Sequence, residues 1–324
     1  TARIPLQHSR EQHTTANSAL NQRPFPPPSL SLVPVILHTA PHPSTPRRSI
    51  PDSIGNLRSL NYLYVLCSAT CTCSALLPVR SIPAAISNLV KLTELYLHNN
   101  HLSGPIPAAI SNLTNLFFLY MNENQLTGSI PAAIGDLRNL HHLSIEKNKL
   151  TGSIPTAIGN LTGLSNLDLS SNRMTGAIPP SISSLRNLRG LNLEKNELEG
   201  GLPESIFTLT NLLWLELSMN KLSGPVPSTV SKLSKLWSLR MHSNHLAGTI
   251  PGTIDSLTAL LYLSLAYNQL YGSLPASLSK LTALNKWYIL MLLRCICNDR
   301  VASLHHHHRE LRMGACFHYM DARW

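Results

Sequence analysis

The sequence is poor in charged residues and in cysteine, and each shortage excludes a class of protein. Charged residues make up 13% of the 324 positions, about half the usual share, which excludes a coiled coil and a charge-driven disordered chain. Six cysteines are too few for a scaffold held together by disulfide bonds. No run of 18 uncharged apolar residues occurs, so the chain encodes no ordinary membrane-spanning helix.

Common catalytic motifs are missing as well. The sequence contains no G-x-S-x-G, no H-E-x-x-H and no G-x-x-x-x-G-K, which are signatures of serine hydrolases, zinc peptidases and phosphate-binding loops. The kinase motifs V-A-I-K, H-R-D and D-F-G are also absent. We therefore expect a protein that is not an enzyme, with no catalytic residues, no cofactor and no metal site.

The net charge of +10 lies mainly at the two ends of the chain. Residues 1–80 carry a net charge of +5 and residues 287–324 carry +2. No stripe of Lys and Arg with interleaved aromatic residues runs along the middle, so a nucleic-acid groove is not supported. We expect no nucleic-acid partner.

A repeat of 24 residues dominates the middle of the chain. Nine prolines recur at this step from Pro83 to Pro275, and eight glycines recur from Gly104 to Gly272. Within one unit, residues 92–115, the alternation of Leu95 and Leu97 predicts a short strand with both side chains inward. Each unit cannot cover its own apolar row, so stacked units are expected to share one continuous core.

One asparagine per unit also keeps the 24-residue step. A buried amide without partners costs about 1–3 kcal/mol, so we expect each to bond backbone groups of its own and the neighbouring coil. This structural asparagine ladder consists of Asn100, Asn124, Asn148, Asn172, Asn196, Asn220, Asn244 and Asn268.

The unit L-x-x-L-x-L-x-x-N-x-L-x-G-x-I-P resembles that of plant-type leucine-rich repeats. The resemblance extends to the ectodomains of plant receptor-like kinases and receptor-like proteins, and to polygalacturonase-inhibiting proteins. It implies an α/β-type repeat solenoid, a right-handed superhelix with a concave parallel β-sheet, and short strands on one flank from the Ile-Pro segment. It also implies a surface that binds peptides, small ligands or other proteins.

The chain divides into four predicted segments. Residues 1–49 read as a disordered Pro-rich flank and residues 50–81 as a degenerate repeat with an eight-residue insertion, either looped out or leaving the first coil unformed. Residues 82–289 form the solenoid of about eight repeats, and residues 290–324 an unstructured or out-of-register tail. We interpret the flanks and the insertion as fragments of an imperfect gene model.

Cysteine and histidine clusters lie outside the repeats. Each end of the solenoid has three cysteines, and the spacing around Cys67 lacks the paired C-x-x-C of zinc sites, so structural or incidental thiols are favoured over metal binding. The run His305–His308 has no second set of ligands and is also interpreted as incidental.

Residues that flank the strand leucines are expected to face the concave surface. They vary between units, as with Asp168, Glu194 and Ser218, whereas the leucines are nearly fixed. Exposed aromatic residues flanked by charge are typical of protein interfaces; the competing interpretation is a solvated sheet with scattered aromatics. The candidate ligand-binding residues are Tyr96, Phe118, Tyr120, Trp214, Glu216, Arg240 and Tyr262.

Two glycan acceptor motifs, at Asn112 and Asn160, fit a secreted protein. By resemblance we expect an extracellular or plasma-membrane-associated protein, although the sequence shows no clear signal peptide. The predicted function is recognition of a protein or peptide ligand, and of a co-receptor, in plant signalling or defence. Alternatives are an inhibitor of a cell-wall-degrading glycosidase, or a truncated product without function.

Overall fold

The computed structural model describes residues 35–38, 50–66, 81–284 and 286–288. Within these ranges the chain forms short β-strands and 3-10 helices, and no α-helix occurs there. Each unit contributes one strand to the main sheet and one 3-10 helix, and therefore forms one turn of the solenoid. The predicted repeat solenoid with a parallel sheet is confirmed.

The main sheet has eleven parallel strands that are neighbours in chain order. From Glu94 onward each residue pairs with the one 24 positions later, as Glu94 pairs with Phe118, so the sequence period is also the register of the sheet. The strands are Val35–His38, Tyr62–Leu66, Glu94–Tyr96, Phe118–Tyr120, His142–Ser144, Asn166–Asp168, Gly190–Asn192, Trp214–Glu216, Ser238–Arg240, Tyr262–Ser264 and Lys286–Tyr288.

Short parallel strands also lie on one flank of the coils. They end one to four residues before the Ile-Pro step or its equivalent, which places them earlier in the unit than predicted. The glycine of each unit lies here with a positive φ, for example +78° at Gly104, a conformation that other residues rarely adopt. The flank strands are Ser103–Pro105, Gln125–Thr127, Thr175–Gly176, Glu197–Gly201, Lys221–Gly224, His245–Gly248 and Gln269–Leu270.

The 3-10 helices each begin directly after the repeat proline, because proline at a helix N-terminus fixes φ and needs no hydrogen-bond acceptor. Pro107, for instance, has φ −65°, and Ile110 in the following helix is fully buried. Each helix is five residues long. The helices are Asp52–Asn56, Ala84–Asn88, Ala108–Asn112, Ala132–Asp136, Thr156–Asn160, Pro180–Ser184, Glu204–Thr208, Ser228–Lys232, Gly252–Ser256 and Ala276–Lys280.

The core is one continuous cluster of leucine and isoleucine side chains that runs through all the stacked coils. Leu167 and Leu169, on either side of Asp168, are both fully buried. Each coil covers the apolar row of its neighbour, which is why no single unit would be stable alone.

The ladder asparagines satisfy backbone groups between coils. Asn172 Nδ2 donates to the carbonyls of Leu169 and Ser170 in its own coil and of Ile145 in the preceding coil, at 3.1 Å each. Its Oδ1 accepts from the backbone N–H of Leu150 at 3.0 Å. The same Oδ1 contact recurs in seven asparagines, from Asn124 to Asn268.

The two ends of the described region extend the sheet beyond the regular repeats. Tyr62–Leu66 pairs with Glu94–Tyr96 at an offset of 32 residues, so the eight extra residues follow this strand in the chain. Val35–His38, within the segment predicted to be disordered, pairs with Tyr62–Leu66 as the edge strand of the sheet. Their apolar run V-I-L can add to an open sheet edge. The insertion and the tail from residue 290 lie outside the described residues.

Candidate functional site

The concave face is formed by alternate residues of the main-sheet strands. In the strand Trp214–Glu216 and the residues after it, Leu215 and Leu217 are fully buried in the core. Trp214, Glu216 and Ser218 therefore point to the opposite side. Because the register is fixed, equivalent residues of successive coils form columns across the face.

An aromatic column occupies the N-terminal part of the concave face. The rings of Tyr64, Tyr96 and Tyr120 stack in parallel, with centroids 4.3 and 5.2 Å apart and interplanar angles of 6°. Tyr64 Oη donates to Glu94 Oε2 at 3.3 Å. Burial raises the pKa of Tyr120 to about 12, so this column stays uncharged at physiological pH.

Carboxylates occupy the middle of the face. Asp168 accepts from the backbone N–H of Ser170 at 2.9 Å and from Asn192 Nδ2 at 3.0 Å. Burial, with a further contribution from nearby Asp168, raises the pKa of Glu146 to about 7. Burial also raises the pKa of Asp168 and of Glu194. This part of the face is therefore acidic, and Glu146 is only partly ionised near neutral pH.

Glu216 is the most deeply buried carboxylate of the face among the described residues, with 2% of its surface exposed. Its Oε1 accepts from Ser238 Oγ at 3.0 Å and lies 3.7 Å from Arg240 Nε. Burial, together with repulsion from Glu194 and Asp168, raises the pKa of Glu216 to about 7, against the opposing effect of Arg240.

Trp214 lies in the same strand as Glu216, and Tyr262 lies two strands further along the sheet. The Trp214 ring lies against Gly190, where a methyl group would collide with it, so the glycine of one coil makes room for the indole of the next. The rings of Tyr262 and Trp237 meet edge-on, with their centroids 6.1 Å apart. The Arg240 guanidinium lies 5.7 Å from the centroid of the Tyr262 ring, within the range of a cation–π contact.

The structure places all seven candidate ligand-binding residues on the face but in two separate groups. Tyr96, Phe118 and Tyr120 lie at the N-terminal end, and Trp214, Glu216, Arg240 and Tyr262 lie toward the C-terminal end. The expectation of exposed aromatics is wrong for Tyr96, which is 7% exposed because its ring is stacked between two others. Phe118, Tyr120, Trp214, Arg240 and Tyr262 are half-buried.

Two residues that shape the concave face, Tyr64 and Gly190, were not predicted from the sequence. Tyr64 does not fit the 24-residue period because the insertion follows it. When the eight inserted residues are added to the period, Tyr64 falls 32 residues before Tyr96, with which it pairs. Gly190 gives no signal by itself. Its role depends on the large side chain one unit later, at Trp214.

The remaining predicted features lie away from the concave face or outside the described residues. Asn112 and Asn160 are exposed at the C-terminal ends of 3-10 helices. Across the ranges that the structure describes, no three His, Cys, Asp or Glu side chains are grouped to hold a metal ion. No helix in those ranges is long and apolar enough to cross a membrane. The cysteine clusters and His305–His308 fall outside them.

Comparison with known families defines the class of protein. One leucine-rich-repeat model matches residues 138–198 and 186–246, and a second matches residues 91–113, 115–137 and 259–281. Together these matches cover more than half of the chain. No curated protein sequence matches it.

Solved structures with the same fold include plant receptor ectodomains. The ectodomain of the Arabidopsis thaliana receptor kinase GASSHO1/SCHENGEN3, in complex with CASPARIAN STRIP INTEGRITY FACTOR 2, is 34% identical with a TM-score of 0.67 over 76% of this chain. The ectodomain of the Arabidopsis receptor kinase HAESA, in complex with an extended IDA peptide hormone, is 36% identical with a TM-score of 0.66 over 74% of this chain. This chain spans 28% and 39% of their respective lengths.

The fold is not confined to plants. A leucine-rich-repeat protein of Leptospira interrogans is 32% identical with a TM-score of 0.61, over 74% of this chain and 57% of its own. The fold and these matches define the class of protein as a leucine-rich-repeat solenoid. The chain belongs to the leucine-rich-repeat family, and its repeats are of the plant type found in receptor kinase ectodomains.

Proposed function

We propose that this chain is a non-catalytic recognition module of a plant cell-surface receptor, and that it binds a peptide ligand along the concave face. The observation that carries the proposal is the contrast between fixed leucines beneath the sheet and varied aromatic and charged residues above it. The GASSHO1/SCHENGEN3 and HAESA ectodomains, solved with their ligands, support a recognition role.

The dimensions of the face suit an extended peptide. Nine strands lie between Tyr62 and Ser264 in the sheet order, which at ~4.8 Å per strand is a span of roughly 40 Å. An extended peptide of about 12 residues covers this distance. Such a peptide would cross the tyrosine column, the acidic middle and the Trp214 region in turn.

The side chains on the face favour recognition over catalysis. The carboxylates with raised pKa values are spread over successive coils of an open sheet, and their shifts follow from burial. An aromatic residue that is half-buried, such as Trp214, is the type that contributes most to binding energy in protein interfaces.

We expect N-linked glycans at Asn112 and Asn160, since both asparagines are exposed at helix ends away from the concave face. This placement leaves the face free for a ligand. Expression in a plant secretory system followed by enzymatic deglycosylation should shift the mass of the wild-type chain. The Asn112→Gln/Asn160→Gln double variant should show no such shift at these sites, and unmodified peptides from the secreted wild type would contradict secretion as a glycoprotein.

The test of peptide recognition is a selection from a random dodecapeptide library with the purified chain. We expect specific binders whose affinity falls by about tenfold or more in Trp214→Ala, because a buried indole contact is lost. Tyr271→Ala is a matched control: this exposed aromatic residue follows the flank strand Gln269–Leu270, and its loss should not change the affinity.

Two results would contradict the proposal. One is a library that yields no specific binder to a folded chain. The other is a set of binders whose affinity is the same for the wild type and Trp214→Ala. Inhibition of a pectin-degrading glycosidase by the chain would instead support the inhibitor alternative.

A further inference from the structure

Three exposed arginines lie shortly before the main-sheet strands in the middle of the solenoid. Arg138 and Arg186 occupy equivalent positions two 24-residue units apart, and Arg189 directly precedes the strand Gly190–Asn192. All three side chains are exposed. We refer to Arg138, Arg186 and Arg189 as the arginine patch.

Backbone contacts place the three coils involved in direct succession. The N–H of Ser165 donates to the carbonyl of His141 at 2.8 Å, and the N–H of Arg189 donates to the carbonyl of Ser165 at 2.7 Å. The strands that follow these residues pair in the same order. Neighbouring parallel strands are about 4.8 Å apart, so the backbones at Arg138 and Arg186 are separated by roughly 10 Å.

The coil between the two arginines brings no long or charged side chain to this surface. Thr162 holds the position that is equivalent to Arg138 and Arg186, and Gly163 follows it. A methyl group on Gly163 would lie 3.4 Å from the carbonyl oxygen of Arg138 and 3.8 Å from His141 Cε1, so this coil packs directly on the preceding one. One partner segment can therefore contact the arginines of both flanking coils.

The arginine patch keeps a net positive charge within the part of the chain that the structure describes. Asp136 is the one carboxylate in residues 136–141, 160–165 and 184–189, and three arginines outnumber it. No arginine of the patch takes part in an ion pair with a described residue. The four ion pairs among the described residues join adjacent coils elsewhere, at Glu123–Lys147, Glu197–Lys221, Glu216–Arg240 and Asp255–Lys280.

The carboxylates in the middle of the concave face interact with other cations. The cations that act on Glu146, Asp168, Glu194 and Glu216 are Lys147, Lys195 and Arg240. None of these three belongs to the arginine patch. The patch is therefore a cationic surface of its own, beside the acidic middle of the concave face.

Guanidinium groups at this spacing suit carboxylates on an extended peptide segment. A guanidinium is planar and can bind one carboxylate through two parallel hydrogen bonds. A segment in the polyproline II conformation repeats every three residues, with a rise of about 9 Å. Carboxylates at positions i and i+3 of such a segment therefore match the separation of Arg138 and Arg186.

We propose that the arginine patch binds an acidic segment of a protein partner. Carboxylates at positions i and i+3 of the segment bind Arg138 and Arg186, and a neighbouring acidic residue binds Arg189. This surface is additional to the concave face and does not depend on peptide recognition there.

A glycan at Asn160 would border the patch, since this asparagine precedes Thr162 by two residues. It would lie on the side of the 3-10 helix Thr156–Asn160, which leaves the partner an approach from the side of the sheet. The binding measurement therefore uses the secreted, glycosylated chain, in which a glycan that covered the arginines would abolish binding.

The experiment measures the binding of three fluorescent dodecapeptides by anisotropy at about 0.15 M salt. The first repeats the sequence EPP four times, and the second repeats QPP. The third carries the same four glutamates in one block, followed by eight prolines. We expect the EPP peptide to bind at least about tenfold more tightly than the QPP peptide, and more tightly than the block peptide, because only it places carboxylates at the spacing of the arginines.

Arg138→Gln/Arg186→Gln should lower the affinity for the EPP peptide by about tenfold or more. Arg138→Lys/Arg186→Lys should recover only part of this loss, since lysine keeps the charge but not the bidentate contact. The matched control is Arg58→Gln/Arg173→Gln, which removes the same charge from exposed arginines outside the patch and should change the affinity by less than about twofold. Trp214→Ala should bind the EPP peptide as the wild type does.

Three results would overturn the proposal: no binding of the EPP peptide, equal binding of the block peptide, or equal losses in the patch and control variants. Polygalacturonate that binds through the patch while the EPP peptide does not would overturn the assignment to a protein segment in favour of an acidic polysaccharide. Each of these results leaves recognition by the concave face intact, because that proposal is tested with different peptides and with Trp214→Ala.

Discussion

Asn172→Asp should destabilise the solenoid by at least about 3 kcal/mol, although the two side chains have nearly the same shape. The amide donates to three backbone carbonyls, two in its own coil and one in the preceding coil. A carboxylate in its place would face these three oxygens without a donor, in a site that is 9% exposed. Burying such a charge is costly, and neutralising it requires a strongly raised pKa. Chemical denaturation measured at pH 7 tests this value.

The matched control is Asn139→Asp. Asn139 also donates to a carbonyl of the preceding coil, Thr114 O at 2.9 Å, but this contact is exposed to solvent. Its replacement should cost less than about 1 kcal/mol. Equal losses for the two variants would show that burial of the ladder amide is not what stabilises the stacking of coils.

Stability should fall as the pH rises from about 4.5 to about 7, by up to about 3 kcal/mol from Glu216 alone. The pKa of Glu216 is about 7 in the folded chain against a usual value of 4.5. The folded state therefore binds more protons than the unfolded state in this window, and the free energy of unfolding decreases with pH. Glu146, whose pKa is also raised to about 7, adds to the same slope.

Thermal denaturation of Glu216→Gln across this range checks the prediction. The variant should have a shallower pH slope and should be more stable than the wild type at pH 8. Glu197→Gln is the control, because Lys221 holds the pKa of Glu197 below its usual value, and a carboxylate with a lowered pKa cannot cause a loss of stability as the pH rises. A wild-type slope that persists unchanged in Glu216→Gln would show that this carboxylate is not the group that titrates.

The architecture could be predicted from the sequence because the same constraint is repeated in every unit. A period of 24 residues fixes the register of the main sheet, and the proline of each unit marks the start of its 3-10 helix. The first coil was harder to predict, since the insertion after Tyr62–Leu66 interrupts the phase. The pairing of Val35–His38 with that coil could not be predicted, because no repeat residue precedes it.

The details of the concave face were less predictable, because they depend on contacts between adjacent coils. The sequence indicates which residues face the surface, but not that Tyr96 is covered by Tyr64 and Tyr120. Nor does it show that Glu216 is buried beside Arg240 with one oxygen unpartnered. Such features arise from the side chains of neighbouring units and have no period of their own.

The most direct test of ligand binding on the concave face is photo-crosslinking of a library-selected peptide, followed by mass spectrometry of the crosslinked fragments. A photoreactive group placed at successive positions of the peptide should label strands of the main sheet in order, including Trp214–Glu216 and Tyr262–Ser264. Labelling confined to the 3-10 helices or the flank strands would contradict recognition by this face.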